Sequence, residues 1–139
     1  MSGSDSIKTS KAILGRLGED AVANLYAQDG FTIVARNLHV SHNEIDLILQ
    51  NSTHLVFVEV KARHAVPHRP GRYGRPAAAV NAEKRRYILT AVKTYLREHP
   101  TDLQPRIDIA EVYLKKYADG TEEVEQILRF PRAIHGNRR

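Results

Sequence analysis

The stretch EIDLILQNSTHLVFVEVKAR, Glu44 to Arg63, constrains the fold more than any other part of the chain. Two apolar runs flank a polar turn at Asn51 to His54, and each run alternates in the manner of a strand. Strands joined by so short a connection pair antiparallel. Because strand side chains alternate between faces, Ile45, Leu47 and Leu49 share one face. A loop of two or four residues adds Val56, Val58 and Val60, which makes that face wholly apolar. The other face is divided, with Ile48, Leu55 and Phe57 near the turn and Glu44, Asp46, Glu59 and Lys61 away from it. Asp46 and Glu59 then lie opposite one another or a diagonal step apart. A three-residue loop without a bulge would part them. The charges therefore gather at one end of a sheet that is otherwise built for burial.

Carboxylates so placed repel one another, and taking them out of water costs several kcal/mol unless cations compensate. Lys61, about 7 Å along the strand from Glu59, supplies one positive charge. A helix before the strands brings a further acid, Glu19, on the flank of its apolar stripe. A divalent ion that prefers oxygen ligands, such as Mg²⁺ or Mn²⁺, would offset the excess. An ion-pair cluster without metal is the competing reading, as is a Glu19 that merely sits near a helix start, where the helix dipole favours acids. Gly15 and Gly18 each weaken that helix by roughly 1 kcal/mol relative to alanine. That cost makes sense if the helix backbone approaches another element or a ligand closely.

Helical spacing runs from Ile13 to Asp29 through Leu14, Leu17, Ala21, Val22 and Leu25, and Gly30 is a natural stop. FTIVAR (residues 31–36) reads as a strand, Ser41 to Asn43 as a turn, and residues 44–50 and 55–63 as the two strands of the charged hairpin. The segment HAVPHRPGRYGRP holds three prolines, two glycines and three arginines, and reads as a loop. A second helix spans Asn81 to Glu98 with Lys84, Ile88, Ala91 and Tyr95 inward. Tyr87 and Tyr95 are read as core residues. Strands near residues 106–117 and 125–130 follow, and Asp108 is expected to be structural. The organisation is a flexible segment 1–12, one domain over 13–131 and a basic tail over 132–139. The fold class is α/β (α+β), a mixed central sheet flanked by helices.

The chain has 139 residues, no cysteine, and 21 Lys+Arg against 16 Asp+Glu for a formal charge of +5. Missing cysteine removes disulfides, thiolate zinc sites and cysteine nucleophiles. No apolar run reaches the length of a signal peptide or membrane span, so a cytoplasmic protein with no membrane partner is expected. The basic excess favours a polyanionic partner such as nucleic acid. Lys84, inward at a helix N-terminus, is a candidate phosphate contact. Arg63 and the loop residues Arg69, Arg72 and Arg75, with Tyr73, are candidates for a clamp on the nucleic-acid backbone. Neighbouring carboxylates favour the charged form of Lys61, which suits it to orient a water and offset developing negative charge rather than act as a base.

The pattern Glu19, Asp46, Glu59-Val60-Lys61, in the order helix, three-strand meander, helix, strand, resembles the restriction-endonuclease-like nucleases with a PD-(D/E)xK site. More narrowly, GRLGEDAVANLYAQDGFTIVARN, EIDLI, VFVEVKAR, the lysine of NAEKRR and RIDIAEV together resemble the YraN-like family of uncharacterised bacterial proteins, over roughly Gly15 to Val112. That family's fold is similar to that of archaeal Holliday junction resolvases. The resemblance implies a Mg²⁺-dependent nuclease acting on DNA, with branched or damaged DNA among the expected substrates, and it is compatible with a homodimer. It implies that Asp46, Glu59 and the Val60 carbonyl bind the metal, and that Glu19 completes the site directly or through water. Asn43 stands where the family usually has glycine before Glu-Ile-Asp, and asparagine tolerates the left-handed backbone such a turn needs.

Overall fold

The computed structural model describes residues 3–65 and 81–135, with side chains from Gly15 onward in the first helix. Arg69, Arg72, Tyr73 and Arg75 lie outside the described residues. The elements are α1 (Gly3–Gln28), β1 (Thr32–Val40), β2 (Asn43–Gln50), β3 (His54–His64), α2 (Ala82–Glu98), β4 (Gln104–Lys116) and β5 (Glu122–Ile134). They build one five-stranded sheet in the order β1-β2-β3-β4-β5. Every neighbouring pair is antiparallel except β3 and β4, which run parallel and are joined through α2. This is the expected mixed α+β sheet with helices packed on it, an architecture consistent with the restriction-endonuclease-like core. Among the described residues no helix is long and apolar enough to cross a membrane.

α1 starts at Gly3 rather than Ile13, because GSDSIKTSK carries too few apolar residues to leave a helical period. It ends as expected, at Gly30 with φ 91°, where the Gly30 and Phe31 amides close back onto Ala27 and Tyr26. β5 likewise runs past the expected end at Phe130, to Ile134. The charged hairpin closes as an even loop: Asn51 N–H bonds His54 O at 3.0 Å around Ser52-Thr53. The Asn51 carboxamide accepts from the Thr53 and His54 amides, which fixes the turn.

The sheet has a core on each face. On one, Val22, Ala23 and Tyr26 of α1 pack on Leu47, Leu49, Val56, Val58, Ala110 and Val112. On the other, Ala91, Val92 and Tyr95 of α2 pack on Ile48, Leu55, Phe57, Ile107 and Ile109. Three expectations need correction. The α1 stripe is rotated toward Ala23 and Tyr26, leaving Ala21 and Leu25 half-buried. Tyr87 is 48% exposed and donates to Glu83 one turn earlier, so only Tyr95 of the two tyrosines is core. Ile45 joins the α2-side core rather than the face of Leu47, for a reason that lies at the site.

Gly18 explains the α1 placement. A Cβ there would meet Ala62 Cβ at 3.2 Å and Val112 at 3.8 Å, so the helix backbone rests directly on β3 and β4; at Gly15 nothing lies within 4 Å. The close approach inferred for both glycines therefore holds for Gly18 alone. Asp108, fully buried on the α1 side, is satisfied from three directions. Tyr26 Oη donates to it at 2.5 Å, Arg106 forks onto both oxygens at 2.9 Å, and the Arg132 amide donates at 3.0 Å. The last bond is possible because Arg132 adopts φ 54° beside the register shift between Ile107 and Ile109. Burial and the adjacent carboxylate push the Tyr26 hydroxyl pKa up, so it remains a donor.

In urea unfolding, Gly15→Ala is expected to stabilise the chain by roughly 0.5–1 kcal/mol through helix propensity. Gly18→Val is expected to destabilise it, since Ala62 is backbone-anchored and cannot give way. Asp108→Ala, which strands Arg106 and Tyr26 without their acceptor, is expected to cost about 3–5 kcal/mol.

Candidate functional site

Asp46 occupies a break in the sheet. Toward β3 the ladder ends with Leu47 opposite Val58, a register that puts Asp46 across from Glu59. Past that point the Asp46 carboxylate enters the gap, where Oδ2 accepts the Val60 N–H at 2.8 Å. Toward β1, Arg36 pairs with Leu47 and Leu38 with Ile45, while Asn37 between them has φ 47°. Arg36 and Asn37 both reach α1, bonding Asp20 and Glu19. Two successive side chains thus point the same way, and the alternation slips by one. Leu38 and Ile45 consequently turn to the α2 side, which is why Ile45 leaves the face shared by Leu47 and Val58. The left-handed residues of this hairpin are Asn37 and Ser41 (φ 56°), so the turn does not draw on Asn43 for positive φ.

Glu59 follows Phe57 on the α2 side and is 11% exposed; its Oε1 lies 3.3 Å from Lys84 Nζ. Lys84 is held at the third residue of α2, where its amide donates to the Asn81 cap at 2.8 Å. The sequence placed Lys84 inward and near a phosphate; the structure brings it to an acid of the site. Lys61 lies on the same strand as Glu59 and is in register with Glu111 of β4. Glu111 was not singled out from the sequence. It is fully buried, accepts from Tyr113 Oη at 2.8 Å, and stands 3.5 Å from Arg63 Nε. Its signal was readable: an acid inside the buried run IDIAEVYL, at the parity of Ile107 and Ile109. Arg63, expected at nucleic acid, thus already has an acidic neighbour.

Glu19 is half-buried and accepts from Asn37 Nδ2 at 3.0 Å. Burial pushes its pKa up, and Glu44 adds to the rise. Asp46 is shifted further, to about 7: desolvation is the main cause, the charge of Glu59 the next, with Glu19 and Glu44 adding and the Val60 amide opposing. The acids of α1, β2 and β3 are therefore near enough to repel one another. Among the described residues, however, no group of three or more His, Asp or Glu side chains converges tightly enough to hold a metal ion. An oxygen-seeking divalent ion held here would draw on Asp46, Glu59 and a main-chain carbonyl, with water in the remaining positions. The Val60 carbonyl suits this role because, in an extended strand, it leaves by the same edge as the amide that meets Asp46.

The family model described as uncharacterised protein family UPF0102 matches residues 18–112. The chain belongs to that family. It is the YraN-like family that the motifs of residues 15–112 resemble, and the matched span runs from Gly18 of α1 to Val112 of β4, site included. A UPF0102 protein of Syntrophotalea carbinolica is 41% identical over 100 residues, covering 71% of this chain and 77% of its own. One from Caldanaerobacter subterraneus subsp. tengcongensis is 34% identical over 122 residues, covering 87% and 96%. Among solved structures, SfsA of Pyrococcus furiosus in complex with Ca²⁺ matches with a TM-score of 0.46 and 17% identity, over 81% of this chain and 63% of that one.

A carboxyl that holds its proton more firmly folded than unfolded adds stability below its unfolded pKa, and that contribution is lost as pH climbs through the folded value. For Asp46 the window runs from its ordinary 3.8 to about 7. In metal-free buffer at pH 8, Asp46→Asn is expected to raise the thermal midpoint by roughly 3 °C or more. The variant should also lose less stability than the parent between acid and neutral pH. Equal pH profiles in calorimetry would show that Asp46 is not strained.

Proposed function

We propose that this UPF0102 member is a metal-dependent nuclease that hydrolyses phosphodiester bonds in DNA, branched or damaged DNA included, and that it works in the cytoplasm. The observation that carries the reading is the place of the Asp46 carboxylate, set in the gap between β2 and β3 on the Val60 amide and across from Glu59 in register; burial and the charge of Glu59 push its pKa up, the environment of a ligand waiting for a cation. In this reading Asp46, Glu59 and the Val60 carbonyl hold Mg²⁺ or Mn²⁺. When bound, the ion supplies Lewis acidity at the scissile phosphate and a water of lowered pKa. Glu19 acts through water, since no three-acid group converges among the described residues. Lys61 orients the attacking water and offsets charge developing on the phosphate oxygens. Arg63, Arg69, Arg72, Arg75 and Lys84 provide salt-sensitive affinity for the nucleic-acid backbone.

Among the described residues no three acids converge to hold a metal ion, which also favours a second reading, a nucleic-acid-binding module that keeps the fold without cleaving. The two separate when purified protein is incubated with branched, linear and single-stranded DNA and with RNA, with and without Mg²⁺ or Mn²⁺. Cleavage is expected only with metal. It should fall roughly 100-fold or more in Asp46→Asn, Glu59→Gln and Lys61→Ala, while binding persists. Cleavage that survives in all three variants points to a contaminant and removes the proposal. Binding without cleavage under any metal establishes the second reading.

A further inference from the structure

Among the described residues, Lys84 makes the only ion pair to any of the acids Glu19, Glu44, Asp46 and Glu59. The pair is lopsided: the Glu59 side chain is 11% exposed and that of Lys84 is 44% exposed. The carboxylate is turned inward, whereas the ammonium side chain lies partly in solvent. The lysine backbone is fixed, because Asn81 caps its amide in the first turn of α2. What remains free to move is a four-carbon stem carrying a compact, well-hydrated charge. An ammonium and a divalent ion drawn to the same carboxylate compete for it.

We infer that Lys84 is an exchangeable counter-ion: it neutralises Glu59 while the site lacks its metal, leaves when Glu59 takes up the metal, and then contacts a phosphate of the nucleic acid. This rests on the proposed reading of Asp46 and Glu59 as metal ligands and adds the regulation of that site. The helix N-terminus from which Lys84 springs favours the incoming anion. Reciprocity makes the consequence quantitative: a strand that captures Lys84 must tighten metal binding by the same factor by which metal tightens the strand. A lysine that only pinned α2 to β3 would behave differently, since its removal would loosen Glu59 and weaken metal binding.

Mn²⁺ serves as the probe, its binding read from the electron paramagnetic resonance of the free ion, with and without a branched DNA oligonucleotide. Lys61→Ala is the background throughout, so that no strand is consumed. Adding Lys84→Met, which keeps the stem and removes the charge, is expected to tighten Mn²⁺ by about threefold or more without DNA. It should also reduce the Mn²⁺-dependent gain in DNA affinity by a similar factor, while Lys84→Arg retains that gain. Arg85→Met, the exposed neighbour, controls for general loss of positive charge and should leave Mn²⁺ affinity unchanged; a comparable tightening there overturns the inference. Unchanged or weaker Mn²⁺ binding in Lys84→Met, with helix content intact by circular dichroism, also overturns it and leaves the nuclease reading standing. A background protein that binds no Mn²⁺ at all removes both.

Discussion

The bond from the Val60 amide to the Asp46 carboxylate marks where two strands stop being partners. Up to Leu47 and Val58 the β2–β3 hairpin is an ordinary antiparallel ladder. Beyond it a side chain replaces a backbone acceptor, and the gap that opens is where Asp46 and Glu59, both partly buried, face each other in register. Burial of Asp46 and its repulsion from Glu59 follow from that parting, and the turning of Ile45 toward α2 follows from the slip at Asn37 on the β1 side. Had the ladder run on, position 46 would be one more ordinary place on a sheet. The irregularity is built from both sides, because Asn37 across from Asp46 has left the strand conformation to reach Glu19.

Much of this could be read in advance. The alternation from Glu44 to Arg63 specified the hairpin and, on the condition of an even loop, the gathering of charges, since a period of two admits only two faces; the even loop itself is settled by the register of β2 and β3. α2 was legible almost to the residue, because Asn81 caps it and its apolar stripe is continuous. Local pattern did not carry the slip at Asn37. Asparagine is common in turns, and only the presence of Glu19 on a helix remote in sequence makes a left-handed residue in mid-strand worthwhile. Nor did it carry the ion pair of Lys84 with Glu59, which depends on the crossover that seats α2 beside β3.

β4 shows how the same residue type does different work on two faces of one strand. Asp108, on the α1 side, is surrounded by a guanidinium, a phenol and an amide, so its negative charge is spent within the structure. Glu111, three residues on and on the other side, lies beside Lys61 and Arg63 at the edge of the charged patch. Both are fully buried.

The parallel pairing of β3 with β4 continues to His64, well past the last pair that β3 makes with β2. The segment bearing Glu59, Val60 and Lys61 thus has a backbone ladder with one strand only and is tied to β2 through the Asp46 side chain, while Gly18 of α1 presses on Ala62 from the side. A shift of β4 along its axis would carry these residues with it and load the bond between the Val60 amide and Asp46. The spacing between the two halves of the acidic pocket is in this sense governed by a strand that supplies neither half.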